Sequence, residues 1–330
     1  MRNRYCFIAL MTLLCMQFMH AQIVVTNNPP MNTEEYLVND VFLGGGIVTS
    51  NYSSLGLLEG IGYFDGFNSN IGFQEGIILS TGGLEFVEDG FGIGSGLSGD
   101  SDLEDALAAI NFPDVAVNNV TVLEFDFVAE SESMAFNYVF GSREYTSYTC
   151  SPTFNDIFGF FLSGPGIAGP YSNNAINIAL IPDPDNPGDY TNTPVAINSV
   201  NSGNPSGGND GTSCEIIDSN WQSYNIYWVD NEYVGGGWEG VNPPPDPQFT
   251  VEGITGFTTP LTAEYNNLIC GETYHIKLAI ADATDFGWNS VVFLEANSFI
   301  SPDIQISTVP NTELGLVVGV DNGVLEGCGQ

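Results

Sequence analysis

Hydrophobic positions along this chain fall mostly in short runs with a period of two. TYHIKLAIAD, residues 273–282, puts Tyr274, Ile276, Leu278 and Ile280 on one side and His275 and Lys277 on the other. That is the alternation of a strand with one buried face. VTVLEFDFVA, residues 120–129, repeats it through Val120, Val122, Phe125 and Phe127, which nearly alternate with polar neighbours. Further strands are expected at 133–141, 156–164, 176–181, 224–229, 250–254 and 290–299, each rich in β-branched and aromatic residues and bounded by Gly, Asn, Pro and Asp clusters. The expected fold is all-β: a two-sheet β-sandwich of jelly-roll or lectin-like type with long Gly/Asn/Pro-rich loops.

One segment carries the helical period instead. DSDLEDALAAI, residues 100–110, aligns Leu103, Leu107 and Ile110, and its first turn holds Asp100, Asp102, Glu104 and Asp105. Acids there favour a helix N-terminus. Residues 183–211 and 235–247 read as loop-like insertions, and from residue 301 the chain changes to a linker and the start of a following module. At the other end, Arg2 and Arg4 precede an apolar run over residues 5–19 and a small residue, Ala21. This pattern predicts a signal peptide over residues 1–21. The run is shorter than the roughly 20 residues a membrane span needs. A single sandwich domain over residues 22–300 follows, exported to the cell exterior or outer surface.

Charge narrows the partners. The 330 residues carry forty acids against four Lys and Arg, a net charge of −36, and cleavage after Ala21 would leave Arg143 and Lys277 as the basic side chains. Such a surface repels nucleic acid and anionic lipid, so neither nucleic-acid binding nor membrane insertion after signal cleavage is expected. It attracts Ca²⁺, although an acidic coat also serves solubility alone. Beyond residue 21 the cysteines are Cys150, Cys214, Cys270 and Cys328, which allow three pairings. Cys150–Cys214 and Cys270–Cys328 are the expected ones. The one histidine outside the signal is His275, which excludes a multi-histidine site within one chain.

Several segments could carry chemistry. GSGLSG, residues 94–99, matches a dinucleotide fingerprint through Gly94, Gly96 and Gly99, but the acids opening the following helix would repel phosphate, and no nucleotide cofactor is expected. Asp100, Asp102 and Asp105 could instead supply hard oxygens to Ca²⁺ or simply cap the helix. DPDNPGD offers Asp183, Asp185 and Asp189 around a turn, and Glu144 with Asp156 forms a third candidate cation set. Trp238, Tyr233 and Trp288 are candidates for a sugar-stacking face, with Trp221 equally suited to the core. Arg143 is expected to fix its loop through an ion pair with Glu144, Glu130 or Glu132. His275 lacks a nucleophile elbow nearby, and no catalytic residue is assigned.

EGIILSTG (75–82), SGDSDLEDAL (98–107), VLEFDFV (122–128), FNYVFGSREYTSY (136–148), FNDIFGFFLSGPG (154–166), INIALIP (176–182), TPVAINSVN (193–201) and TYHIKLAIADATD…SVVFLEANSF (273–299) occur in that order. Together they resemble the choice-of-anchor L domain of secreted Bacteroidetes surface proteins, over about residues 35–300. The resemblance implies an exported surface protein, of a kind whose long relatives finish with type IX secretion or gliding-associated sorting domains. It does not imply a defined activity. The function expected is a secreted binding or adhesion module, calcium-stabilised, presenting loops to glycan or protein. The alternatives are an extracellular carbohydrate-active hydrolase and a passive spacer of a longer surface protein.

Overall fold

The computed structural model describes residues 23–56, 58–89, 94, 96–112, 115–234, 237–238 and 251–301. The signal segment, most of 235–247 and the segment from 302 onward, Cys328 included, lie outside the described residues. The all-β expectation holds. The strands are β1 (Val24–Thr26), β2 (Thr49–Leu55), β3 (Ile61–Asp65), β4 (Glu75–Ser80), β5 (Val117–Val128), β6 (Met134–Ser142), β7 (Ile157–Ser163), β8 (Ile176–Asn177), β9 (Leu180–Pro182), β10 (Tyr190–Pro194), β11 (Trp228–Asp230), β12 (Tyr233–Val234), β13 (Gly237–Trp238), β14 (Gly256–Thr258), β15 (Leu261–Tyr265), β16 (Thr273–Ala283) and β17 (Ser290–Glu295). Helix α1 spans Ser101–Ala109 and helix α2 spans Thr212–Ile217.

Two antiparallel sheets form the sandwich. One has the order β1-β3-β4-β17-β6-β14-β11, with β15 also paired to β6, and the other the order β2-β5-β16-β7-β8. Between them lies an aromatic core: Phe125 and Phe127 of β5, Phe158 and Phe160 of β7, and Phe136, Tyr138 and Phe140 of β6, all essentially inaccessible. Tyr138 and Phe160 meet edge to face at 4.9 Å, a favoured aromatic geometry. Tyr274, Ile276, Leu278 and Ile280 of β16 point into this core as their spacing predicts.

The outer face of the five-stranded sheet is only half covered. Leu103, Ala106, Leu107 and Ile110 of the α1 segment pack on Val120, Val122, Ile157, Phe161, Ala279 and Ala281. Val120 and Val122 therefore face away from Phe125 and Phe127, contrary to the single half-buried face expected of residues 120–129. Their numbers have opposite parity, so a regular strand places the two pairs on opposite faces. Beyond the end of α1 the same face stays open, and there β5, β16 and β7 present polar side chains.

Other expectations are corrected. Residues 176–181 split between two sheets, because Asn177 Oδ1 accepts from the amides of both Phe160 and Ala179 and displaces the strand ladder. Trp221–Tyr227 is a 3₁₀ helix rather than the start of a strand at 224; Trp221 and Tyr224 are both buried at the three-residue spacing of such a turn. Residues 251–254 are turn and loop, with Val251 and Ile254 buried under the larger sheet. The expected strand at 290–299 ends at Glu295, and Asn297 turns the chain at φ 56° so that Phe299 returns to the core. The insertion 183–211 is not all loop. It contains β10, and Val195, Ile197 and Val200 are part of the main core. Among the described residues no helix is long and apolar enough to cross a membrane.

Candidate functional site

Two places on this scaffold concentrate polar side chains. The first is the open part of the five-stranded sheet, a groove of about 180 Å³. Cross-strand register builds its floor: His275 of β16 lies opposite Asp126 of β5 on one side and Ser163 of β7 on the other. Lys277, two residues along, lies opposite Glu124 and Phe161. His275 turns both ring nitrogens toward carboxylates, Nδ1 at 2.7 Å from Asp126 Oδ1 and Nε2 at 3.4 Å from Glu124 Oε2, and not to Ser163. It is a half-buried, hydrogen-bonded histidine.

The groove ends at the N-terminus of α1. Asp100 caps that helix, its Oδ1 accepting from the amides of Asp102 and Leu103 at 3.1 Å each. The other oxygen of Asp100 is 2.6 Å from Lys277 Nζ, and Asp102 Oδ2 is 2.8 Å from it. Asp102 Oδ1 accepts from the Ser172 amide at 2.8 Å. Two of the three acids considered for Ca²⁺ here are thus occupied by the ammonium group, and Asp105 is exposed on the helix. Burial pushes the Asp102 carboxyl up, but hydrogen bonds from Lys277 and Ser172 outweigh it and hold it below the usual carboxylate range. Burial likewise opposes the charge of Lys277, while the two aspartates raise its pKa above the ordinary value.

The second place is one end of the sandwich, where the chain leaves β6, enters β7, leaves β16 and enters β17. Glu144, Asp156 and Asp282 gather there with no exposed surface. Asp156 accepts from the Ala283 amide at 3.0 Å and the Ser290 hydroxyl at 2.5 Å. Asp282 Oδ2 accepts from Asn119 Nδ2 at 2.6 Å, and Asn119 in turn accepts from the amide of Gly96 at 3.0 Å. The glycine loop considered above as a nucleotide fingerprint thus seats on this cluster's support. No well-formed hydrogen bond reaches either oxygen of Glu144 or Oδ1 of Asp282, although the Asp156 amide acts on Glu144 and the Thr81 side chain on Asp282. Burial, then the charges of Asp285 and Asp282, push the Glu144 carboxyl well up, with a small opposing effect of the Asp156 amide. Asp156 is raised by burial and by its acidic neighbours. Asp282 is pushed up to about 7, chiefly by burial.

A short wall of aromatic rings flanks this end. Tyr148 meets Phe154 and Trp288 edge-on at 4.8 and 4.9 Å, and the Arg143 guanidinium lies 5.8 Å from the centre of the Trp288 ring. The expected ion pair with Glu144 is not formed, since no well-formed hydrogen bond reaches either Glu144 oxygen. The guanidinium stands over the ring face, a cation–π placement. Cys150 and Cys214 are bonded, with Cα atoms 5.0 Å apart, and pack with buried Trp221. The second expected pair involves Cys328, outside the described residues. Asn155 holds the 193–201 segment by accepting from the Asn198 amide at 2.9 Å.

The remaining candidates are scattered. Asp183 accepts from the Asp185 amide at 2.9 Å and from Asn186 Nδ2 at 2.8 Å, which closes an Asx turn. Tyr233 and Trp238 are register partners in the β12–β13 ladder. Asp282 and Asp285 escaped the sequence reading. The available signal was parity: Asp282 continues the even-numbered, inward phase of β16, where an acid is out of place. Glu124, Asp126 and Ser163 escaped because only strand register brings them to His275.

No curated protein and no solved structure matches the chain. The family model described as the choice-of-anchor L domain matches residues 25–300, and that span contains both polar sites and every strand but the first residue of β1. The chain belongs to the choice-of-anchor L domain family, whose members are cell-surface-associated or secreted proteins.

Proposed function

We propose that this domain is a surface binding module that takes a neutral, hydroxyl-rich ligand, a glycan, in the groove of the five-stranded sheet. The observation that supports it is the groove itself. A helix covers part of the sheet face, and the uncovered part presents carboxylates, hydroxyls, an imidazole and an ammonium in two adjacent cross-strand rows. A sugar hydroxyl both donates and accepts, so mixed donors and acceptors of this kind match it. The net charge of −36 disfavours anionic glycans. Protein ligands and a spacer role explain the same family membership without using the groove.

The test is an array of neutral oligosaccharides at about 0.15 M salt, where long-range charge effects are screened. Hits are then titrated calorimetrically against the wild type, Glu124→Gln and Trp288→Ala. Loss of about tenfold in affinity for Glu124→Gln, about 1.4 kcal/mol, with Trp288→Ala unchanged, is the expected result. A blank array removes the proposal. Loss confined to Trp288→Ala moves the ligand to the aromatic wall, with Trp238 and Tyr233 next to be replaced.

A further inference from the structure

We propose that Glu144, Asp156 and Asp282 form a proton-sharing latch at one end of the sandwich. Protons hold the three carboxyls together in acid, and their loss as pH rises loosens the loops that carry Tyr148, Phe154 and Trp288. The topology gathers the three. Glu144 lies two residues beyond β6, Asp156 immediately precedes β7, and Asp282 is the last residue but one of β16. Antiparallel pairing sets Ala281 opposite Ile157, and one step further along that ladder puts Asp282 beside Asp156. Like charges in that relation repel, and here none of the three side chains has exposed surface.

No ion pair offsets the repulsion. Among the described residues His275 pairs with Asp126 and Glu124, and Lys277 with Asp100 and Asp102. Arg143, next to Glu144 in sequence, has its guanidinium over the Trp288 ring. The surrounding elements supply neutral groups instead. Thr81, just after β4, and Asn119 of β5 act on Asp282, while Ser290 of β17 and the Ala283 amide donate to Asp156. The further ionisable group acting on the cluster, Asp285 in the β16–β17 loop, is another acid.

Protons satisfy this arrangement without any other partner. The Asp156 and Asp282 side chains are within hydrogen-bond reach of each other, and two carboxyls share such a bond only when one is protonated. A protonated Glu144 sheds the charge that burial makes costly and gains a donor where only the Asp156 amide acts on it. Burial first, then the neighbouring acids, holds Glu144 and Asp156 well above the usual carboxylate range, and Asp282 is pushed up to about 7. Groups raised in this way keep protons that the unfolded chain has released. Their contribution to stability is fully present below the ordinary carboxylate value near 4 and is lost as pH climbs through the folded values. Carboxylates held down by ion pairs give the opposite slope. The loops most affected are those tied to the cluster: Glu144 and Asp156 bracket Tyr148 and Phe154, and Asp282 leads into the turn of Asp285 and Trp288. Nothing in this depends on what the groove binds.

The test is urea unfolding of the whole chain from pH 5 to 8.5. The unfolding equilibrium constant is expected to rise at least about tenfold between pH 5 and 7, each proton released contributing up to about tenfold per pH unit. Asp282→Asn and Glu144→Gln, whose amides imitate the protonated acids, are each expected to cut that rise about threefold or more. Histidine titrates in the same range, so His275→Gln is measured beside them and should keep the larger part of the rise. Amide exchange, corrected for its intrinsic pH dependence, should speed up over residues 145–154 and 283–289 between pH 6 and 8.5 more than over β5. A constant that stays flat or falls from pH 5 to 7 overturns the proposal. So does a rise that survives both amide variants, or one that disappears in His275→Gln. Carboxyl ¹³C shifts of the wild type give a reading that needs no variant to fold: at least one of the three carboxyls is expected to be protonated at pH 6, and finding all three ionised there overturns the proposal.

Discussion

Replacing Lys277 by methionine is expected to lower the unfolding free energy by about 3 kcal/mol, and Tm by roughly 6–12 °C, measured by urea and thermal unfolding at pH 7. The lysine holds two carboxylates at 2.6 and 2.8 Å, whose side chains are only 8% and 4% exposed. Methionine keeps the apolar stem against Phe161 but leaves Asp100 and Asp102 facing each other without a cation. Removing one partner of a buried pair costs more than the pair itself contributes. Adding Asp100→Asn to the methionine variant should recover part of the loss, because asparagine caps a helix as well as aspartate does and the like-charge contact disappears. Full additivity of the two changes would show that Asp100 and Lys277 do not interact.

The same pair sets a pH window. Asp102 is depressed in the folded chain, so its contribution is present above the ordinary carboxylate value near 3.9 and is lost as pH falls through the lower folded value. Lys277 is raised, so its contribution is present below its ordinary value near 10.4 and is lost as pH climbs through the higher folded value. The wild-type contribution of the pair should stay flat from about pH 5 to 9 and be lost below about pH 4. In Lys277→Met burial acts on Asp102 without the ammonium to oppose it, so the variant takes up its proton at higher pH than the wild type. The difference in stability should therefore begin to shrink above the ordinary carboxylate value as pH falls. A difference that stayed constant down to about pH 3 would show that Asp102 and Lys277 are not coupled.

Removing the Cys150–Cys214 bond is the other large effect expected. It closes a loop with a sequence separation of 64, and the chain-entropy account gives roughly 4 kcal/mol for such a loop. Cys150→Ala with Cys214→Ala should lower the urea midpoint accordingly, and mild reduction of the wild type should reproduce the shift. The bond also ties the segment between Glu144 and Asp156 to α2, under Trp221. Amide exchange over residues 145–156 should therefore accelerate beyond the global loss. An unchanged midpoint would mean that packing of that segment, not the cross-link, holds it.

Period-two spacing and turn clusters made the central strands legible. The faces of β16 read correctly from TYHIKLAIAD because both sides of that strand alternate without a bulge until Ile280. Short strands in the first eighty residues were missed, since β1 to β4 are bounded by residues that read equally well as loop. The 224–229 run failed for a different reason: its aromatics repeat every third residue, and burial of Trp221 and Tyr224 favoured the 3₁₀ turn over a strand. At the sites, Glu144 and Asp156 were visible as rare acids beside a strand start. Their third partner, Asp282, is 126 residues beyond Asp156 in number and reaches it only through the pairing of β16 with β7.

Composition and local pattern by themselves determined an acidic, β-rich chain, one capped helix, and a family, because charge, alternation and capping act over a few neighbouring residues. Tertiary structure decided which acids meet a cation and which are buried without one. Nothing in the sequence paired Lys277 with any of the forty acids; only the packing of α1 on the outer face of the five-stranded sheet chose Asp100 and Asp102. In the same way, only the meeting of two sheets could withdraw Glu144, Asp156 and Asp282 from water together. Burial changes the energy of a charge far more than its identity does, and burial is a property of the fold.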